Sequence, residues 1–192
     1  ADDMLVTFYG VRGSIAAPGP KTIKYGGNTS CVHVRLNDGN NVIFDAGTGI
    51  RELGFRMVRN DEPLLLLLSH GHWDHIQGYP FFAPIYQPDR EIRICQSIDS
   101  NAVSLKAILE QMDGSTFPVR SEDLPSKITT VYQVNEYLDA QSFQTTTKPL
   151  NHPGGGNAYR IEEDGVSVAY ITDNELDPLA APQTTYAEWV DF

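Results

Sequence analysis

Short apolar runs separated by glycine- and proline-rich turns, a few segments with helical spacing, and one uninterrupted run of five leucines predict a mixed α and β fold for this 192-residue chain. The leucine run, residues 64–68, is bounded by Pro63 and Ser69 and is too short for several helical turns, so it reads as a fully buried strand. With 41% apolar and 20% charged residues the chain can bury one sizeable core, and a single domain over residues 1–192 is expected.

The elements follow in order. Residues 4–9, 31–36 and 41–45 alternate or run apolar between glycine-rich turns, as an opening meander of strands does. Ile50, Leu53, Gly54 and Met57 share one face at helical spacing, which predicts a helix over residues 50–59. After the leucine strand, residues 74–78 begin a short helix that Pro80 and Pro84 limit to brief turns, and Tyr79, Phe81, Phe82 and Tyr86 are expected to wall a pocket. Residues 92–95 read as a strand, 101–112 as a helix with Val103, Leu105, Ala107, Ile108 and Met112 apolar, and 128–134 as another strand. Between them, residues 113–127 are broken by Gly114, Pro118 and Pro125, and read either as a surface loop or as a flap carrying Phe117 over the site. Strands at 143–150, 158–162 and 166–171 complete the pattern. The last two are joined at Glu163-Asp164-Gly165, since Asp-Gly supplies the positive φ angles of a tight hairpin.

Chemistry concentrates directly after the leucine strand. His70-Gly71-His72-Trp73-Asp74-His75 packs three of the chain's five histidines and a carboxylate into one loop; the other two are His33 and His152. In near-extended backbone, residues two apart point the same way, so His70 and His72 can grip one ion while Asp74 and His75 turn toward a second. Imidazole and carboxylate together suit zinc, manganese or iron. The lack of nearby cysteine argues against a closed structural zinc site and for an open one that admits water. A lone histidine would be an ordinary loop residue; convergent ligands signal a metal.

The HxHxDH pattern on a loop after a buried strand resembles the metallo-β-lactamase superfamily of hydrolases. Upstream, Phe8-Tyr9-Gly10-Val11-Arg12-Gly13-Ser14, Tyr25-Gly26-Gly27-Asn28-Thr29-Ser30-Cys31 and Phe44-Asp45-Ala46-Gly47-Thr48-Gly49-Ile50 look like the branch containing cyclic-phosphate and cyclic-nucleotide phosphodiesterases, akin to the transfer-RNA 3′-processing nucleases. The likeness covers residues 4–175. It implies an α+β fold, a four-layer αββα sandwich with the site along one edge. It also implies two divalent metal ions, zinc foremost with manganese or iron as alternatives. His70, His72 and His152 would hold the first ion, Asp74 and His75 the second, and Asp173 would bridge them. The activity implied is hydrolysis of a small cyclic nucleotide or cyclic phosphate by a metal-bridged hydroxide, with Asp74 orienting or deprotonating the nucleophile.

Family members continue past the bridging aspartate to a last histidine ligand, whereas no histidine follows His152 here. The expectation is a domain lacking its last C-terminal elements, with residues 186–192 reading as the start of an amphipathic helix. Either a longer protein, or a second copy in a homo-oligomer, would then supply the missing part.

The longest apolar run is far short of a membrane span, and the start has neither the basic residues nor the apolar stretch of a secretory signal. Cys31 and Cys95 sit in strand-like contexts that favour buried free thiols, so a reducing cytoplasm is the expected compartment. The net charge of −11 and a pI near 4.7, without any basic run, disfavour a nucleic-acid partner. Two divalent ions would restore about four positive charges at the mouth of the site, so a small anionic phosphodiester remains compatible.

Several supporting residues carry two readings. Asp45 is either a turn carboxylate or holds a histidine ring in the needed tautomer from behind. Asn28, Thr29 and Ser30, next to a glycine pair, either cradle a phosphate or form a tight turn. Arg12 either contacts phosphate or is a solvated surface charge. The three glycines at 154–156 let the chain pass close to the metals. Two other functions stay open: hydrolysis of a carbonyl substrate such as a lactone, thioester or β-lactam, and a noncatalytic metal- or partner-binding domain.

Overall fold

Alternation of side chains about the leucine strand explains how the molecule is layered. In the computed structural model, which describes residues 4–96, 103–132 and 134–175, this strand is β4 (Leu64–Leu67). Leu64 and Leu66 point into one core and Leu65 and Leu67 into another, each almost fully buried. A strand covered on both faces loses its polar alternation and reads as a continuous apolar run. Each such side chain contributes about 2 kcal/mol of burial.

Around it lie β1 (Leu5–Gly10), β2 (Cys31–Arg35), β3 (Asn41–Phe44), β5 (Glu91–Cys95) and β6 (Lys127–Val131). They form one six-stranded sheet in the order β1-β2-β3-β4-β5-β6, antiparallel from β1 to β3 and parallel from β3 to β6. A second, antiparallel sheet contains β7 (Gln144–Pro149), β8 (Asn157–Glu163) and β9 (Val166–Tyr170). The Asp-Gly hairpin joins β8 to β9 as expected, with Asp164 at φ 52 and Gly165 at φ 80.

The helices are α1 (Ile50–Met57), α2 (Trp73–Ile76), α3 (Val103–Glu110) and α4 (Val134–Asp139). Ile50, Leu53 and Met57 of α1, with Leu105 and Ile108 of α3, pack on the outer face of the large sheet. Val32, Val34, Phe44, Tyr159 and Ile161 fill the space between the sheets. Among the described residues the layers are therefore helix, sheet, sheet, and the two sheets are unequal. The helix expected over residues 186–192 lies outside the described residues, as do residues 101 and 102 at the start of the expected third helix.

Two expectations are corrected. The strand expected over 128–134 stops at Val131, and Val134 opens α4, because Val134 and Leu138, four apart, both bury in the inter-sheet core. Tyr79 and Phe82 do not wall a pocket. They are fully buried beneath α1, while Tyr86 caps the carbonyl of Pro80 at 2.7 Å. Phe117 packs edge-on against Phe81, ring centroids 5.5 Å apart, and adds to the helix-side core instead of standing free. No helix among the described residues is long and apolar enough to cross a membrane. Cys31 and Cys95 are both free and buried.

At the end of the large sheet remote from the histidine loop, Arg35 of β2 donates to Glu62 at 2.8 Å, and Asn41 of β3 donates to the same carboxylate at 3.0 Å. These bonds, Arg35 foremost, pull the Glu62 carboxyl down to about 2. A depressed folded-state value means that the stabilisation is complete above the ordinary carboxylate range, near pH 4.5, and is lost as pH falls toward 2. Glu62→Gln should thus lower stability at pH 7 by about 1 kcal/mol or less, the pair being half-exposed. Urea midpoints of variant and parent should draw together as pH falls below 4 and converge only near pH 2; a constant gap would show that the charge is not the cause.

Candidate metal centre

The site forms where four chain segments end at one edge of the two sheets. Asp45 follows β3, Ser69 to His75 follow β4 and run into α2, His152 lies between β7 and β8, and Asp173 follows β9. The two strand-end aspartates have left-handed backbone, φ 59 at Asp45 and φ 52 at Asp173, a conformation to which aspartate is better suited than most residues. It turns the chain sharply just past each strand.

Backbone contacts weld these segments together. Asn157 N–H donates to the Ser69 carbonyl at 2.8 Å, and the Tyr159 hydroxyl to the Leu68 carbonyl at 2.7 Å, fastening the small sheet to the histidine loop. Asn151, beside His152, is tied to Asn174 and Glu175, beside Asp173. Gly47 is wedged so closely under α2 that an added Cβ would lie 2.4 Å from the Asp74 carbonyl and 2.5 Å from Thr29 Oγ1. The glycine there is a requirement of close approach.

The imidazoles converge. His72 Nδ1 lies 2.9 Å from His70 Nε2 and 3.0 Å from His152 Nε2. His75 Nε2 is 2.7 Å from Asp173 Oδ2, and His70 Nε2 is 3.5 Å from the same oxygen. Two donor sets result: His70, His72 and His152, and beside it His70, His75 and Asp173. Asp74 stands next to the second set, its Oδ2 3.6 Å from His75 Nε2 and bonded by the Ser14 backbone N–H at 2.7 Å.

Tautomers follow from the bonds behind the rings. The Ser69 hydroxyl donates to Asp45 Oδ2 at 2.6 Å, so its 3.0 Å contact with His70 must take a proton from His70 Nδ1. His75 Nδ1 donates to Asp45 Oδ2 at 2.7 Å. Both rings therefore turn Nε2 toward the common space. Burial first, and the neighbouring charge of His75 second, pull His70 down to about 4. Burial also opposes charge on His75, but the bond to Asp45 and the charges of Asp45, Asp74 and Asp173 outweigh it and lift that ring to about 9.

The donors fit a divalent ion. Nitrogens about 2.0–2.1 Å from a tetrahedral ion lie about 3.3 Å apart, near the separations seen. His72 Nδ1 faces two imidazole nitrogens at once, more than one proton can bridge. His75 Nε2 is buried without a hydrogen bond, because its close contact with Asp173 is misaligned for one, and His152 Nδ1 is likewise unbonded. His72 Nδ1 between two imidazole nitrogens and the orphaned His75 Nε2 against a carboxylate suit a shared cation better than shared protons.

Other sequence-predicted residues fall differently. Asp45 is fully buried and is no open turn carboxylate. Thr29 and Ser30 are buried as well; Thr29 and Thr48 exchange backbone-to-hydroxyl bonds at 2.8 Å, and Asn28 accepts from the Thr48 hydroxyl. The Asn28 side chain, which is half-buried, the Thr29 hydroxyl and the Ser30 carbonyl thus brace the turn below the site. Arg12 is exposed in the loop whose Ser14 touches Asp74, with its Nε on the Ile15 carbonyl. Ser69, Tyr170 and the Ser14 amide were not singled out from sequence. Ser69 had only its place beside His70 as a signal, and a backbone amide has none.

The family profile of the beta-lactamase superfamily domain matches residues 40–187. The UPF0173 metal-dependent hydrolase of Enterococcus faecalis is 40% identical over 47 residues, 24% of this chain and 21% of that protein. The metallo-β-lactamase fold protein YhfI of Bacillus subtilis superposes with a TM-score of 0.57 at 24% identity, over 88% of this chain and 62% of that one. Human tRNase Z, short form, gives 0.56 at 16% identity, over 94% and 72%. The chain thus spans about a fifth of the hydrolase and under two thirds of YhfI, and the structural likeness speaks for the fold.

Removing one imidazole from the first donor set tests the centre directly. His152→Ala should lower tightly bound metal by about one equivalent per chain, read by elemental mass spectrometry after dialysis; unchanged content would remove His152 from the ligand set.

Proposed function

The chain belongs to the beta-lactamase superfamily domain family and has the metallo-β-lactamase fold, and from that premise we propose that it is a metal-dependent hydrolase acting as a phosphodiesterase on a small cyclic nucleotide or cyclic phosphate. The observation that carries the proposal is the pair of adjoining donor sets sharing His70, with Asp74 beside them. Adjoining sites of imidazole and carboxylate suit zinc, with manganese or iron as alternatives.

His70, His72 and His152 would hold one ion, and His75 with Asp74 a second, Asp173 reaching both. Bound there, such ions lower the pKa of water and draw charge from a phosphoryl oxygen. The chain's own groups do the rest. Asp45 keeps the His75 proton on Nδ1, so that Nε2 offers its lone pair to the site. The Ser14 amide fixes one oxygen of Asp74, and Asp74 takes the proton of the attacking water as the new phosphorus–oxygen bond forms and returns it to the leaving oxygen as the ester bond breaks. Arg12, exposed on the same loop, is positioned to meet a non-bridging phosphoryl oxygen.

Three features support a small phosphodiester as substrate. The glycine-rich segments around Gly10, Gly26 and Gly47 resemble those of the phosphodiesterase branch. The net charge of −11 opposes a long polyanion. His72 and Asp173 are exposed, so the donor sets open to solvent.

Asp74→Ala should reduce turnover of 2′,3′-cyclic nucleotides and of bis-p-nitrophenyl phosphate by about 100-fold or more, with an unchanged circular dichroism spectrum. Hydrolysis of thioesters or lactones together with inertness toward phosphodiesters would overturn the substrate class. For Arg12→Ala the expected change is a several-fold rise in KM at near-parental kcat; an unaltered KM would return Arg12 to the solvated surface.

A further inference from the structure

We propose that Tyr170 is a positioning residue for the second metal position, locking the Asp45–His75 pair and the Asp173 turn into one unit across the two sheets. The inference rests on the metal-centre reading above and adds a residue that lies outside both donor sets.

Tyr170 is the last residue of β9, in the small sheet, whereas Asp45 and His75 belong to loops of the large one. Its hydroxyl donates to Asp45 Oδ2 at 2.8 Å. Its ring stacks on Phe44, centroids 4.9 Å apart and planes 9° from parallel. Phe44 directly precedes Asp45, so ring and hydroxyl grip two consecutive residues where β3 ends. Three residues beyond Tyr170, Asp173, itself at φ 52, places Oδ2 2.7 Å from His75 Nε2. Opposite edges of the His75 ring are thus held by groups whose relative position Tyr170 sets: Asp45 at Nδ1 and Asp173 at Nε2.

The hydroxyl also governs how Asp45 acts on His75. Asp45 Oδ2 receives Ser69 Oγ, His75 Nδ1 and Tyr170 Oη together, while Oδ1 receives the Ser69 amide. With three donors on one oxygen the carboxylate is saturated and cannot rotate to another partner. Ser69 and Tyr170 draw charge from that oxygen, which leaves the imidazole proton on Nδ1 and the Nε2 lone pair aimed at the site. Without the hydroxyl, Asp45 keeps Ser69 and His75 but loses one of the three donors on Oδ2 in a dry setting, and the small sheet loses its direct tie to Asp45, while those of Asn157 and Tyr159 to the histidine loop remain.

Tyr170→Phe keeps the ring stack and removes only the hydroxyl. Titration of the metal-free parent and variant with cobalt(II) reads the two positions separately through the visible d–d bands. The expected result is an unchanged first equivalent, a second equivalent bound about tenfold more weakly with a shifted d–d spectrum, and a melting temperature of the metal-free chain within a few degrees of the parent. Tyr170→Leu, which also removes the stack, should lower the melting temperature in addition. Identical second-site affinity and spectrum in parent and Tyr170→Phe would overturn the inference while leaving the metal centre standing. A parent that binds no cobalt would overturn both. Equal weakening of both equivalents, or a large loss of melting temperature in Tyr170→Phe, would reduce Tyr170 to a general packing residue and overturn it as well.

Discussion

Around one buried carboxylate the edge of this molecule is assembled. Asp45 is wholly removed from water, and a buried anion without partners would be intolerable. Its two oxygens accept from the Ser69 amide, the Ser69 hydroxyl, His75 and Tyr170. Those donors come from the loop after β4, from α2 and from β9, so satisfying one charge obliges three chain segments to meet. Bonds to an ionised group are roughly twice as strong as neutral ones and more demanding in geometry. The convergence of the histidines in front of Asp45 is a consequence of that obligation.

The same carboxylate organises the local electrostatics. Three aspartates, at 45, 74 and 173, face His75 and hold it charged in the ion-free chain, while His70, a few ångströms away, is kept neutral by burial and by its neighbour's charge. Metal uptake would replace the His75 proton with a cation that the aspartates already favour. An acidic chain with an inward-facing acidic cluster is thus predisposed to gather divalent ions, and such ions would make a locally positive mouth. A net charge of −11 is therefore compatible with the proposed phosphodiester substrate.

Rigidity comes from close backbone approach as much as from polar bonds. The turn after β3 passes under α2 with no room for a side chain at Gly47, and the reciprocal bonds of Thr29 and Thr48 seal it from below. Residues that look like a phosphate cradle in sequence, Asn28 to Ser30, are drawn into this support because buried backbone amides need partners and the nearby hydroxyls supply them. The loop carrying Arg12 and Ser14 remains open to solvent.

Local pattern alone made the strands, α1, the Asp-Gly hairpin and the dense His70–His75 motif legible, since each depends on periodicity or on residue types within a few positions. Through family resemblance His152 and Asp173 joined that motif, although 77 or more residues separate them from it in the chain. Local pattern misread the stretch into α4, where two apolar residues four apart bury as a helix, and Tyr79 and Phe82 after α2, which fill the core. What tertiary structure alone decided was which polar groups stand behind the ligands. Tyr170 meets Asp45 across 125 residues and Ser14 meets Asp74 across 60. No periodicity encodes such pairings, because the first arises only when two sheets pack face to face and the second only when the loop after β1 meets α2 at the end of the large sheet.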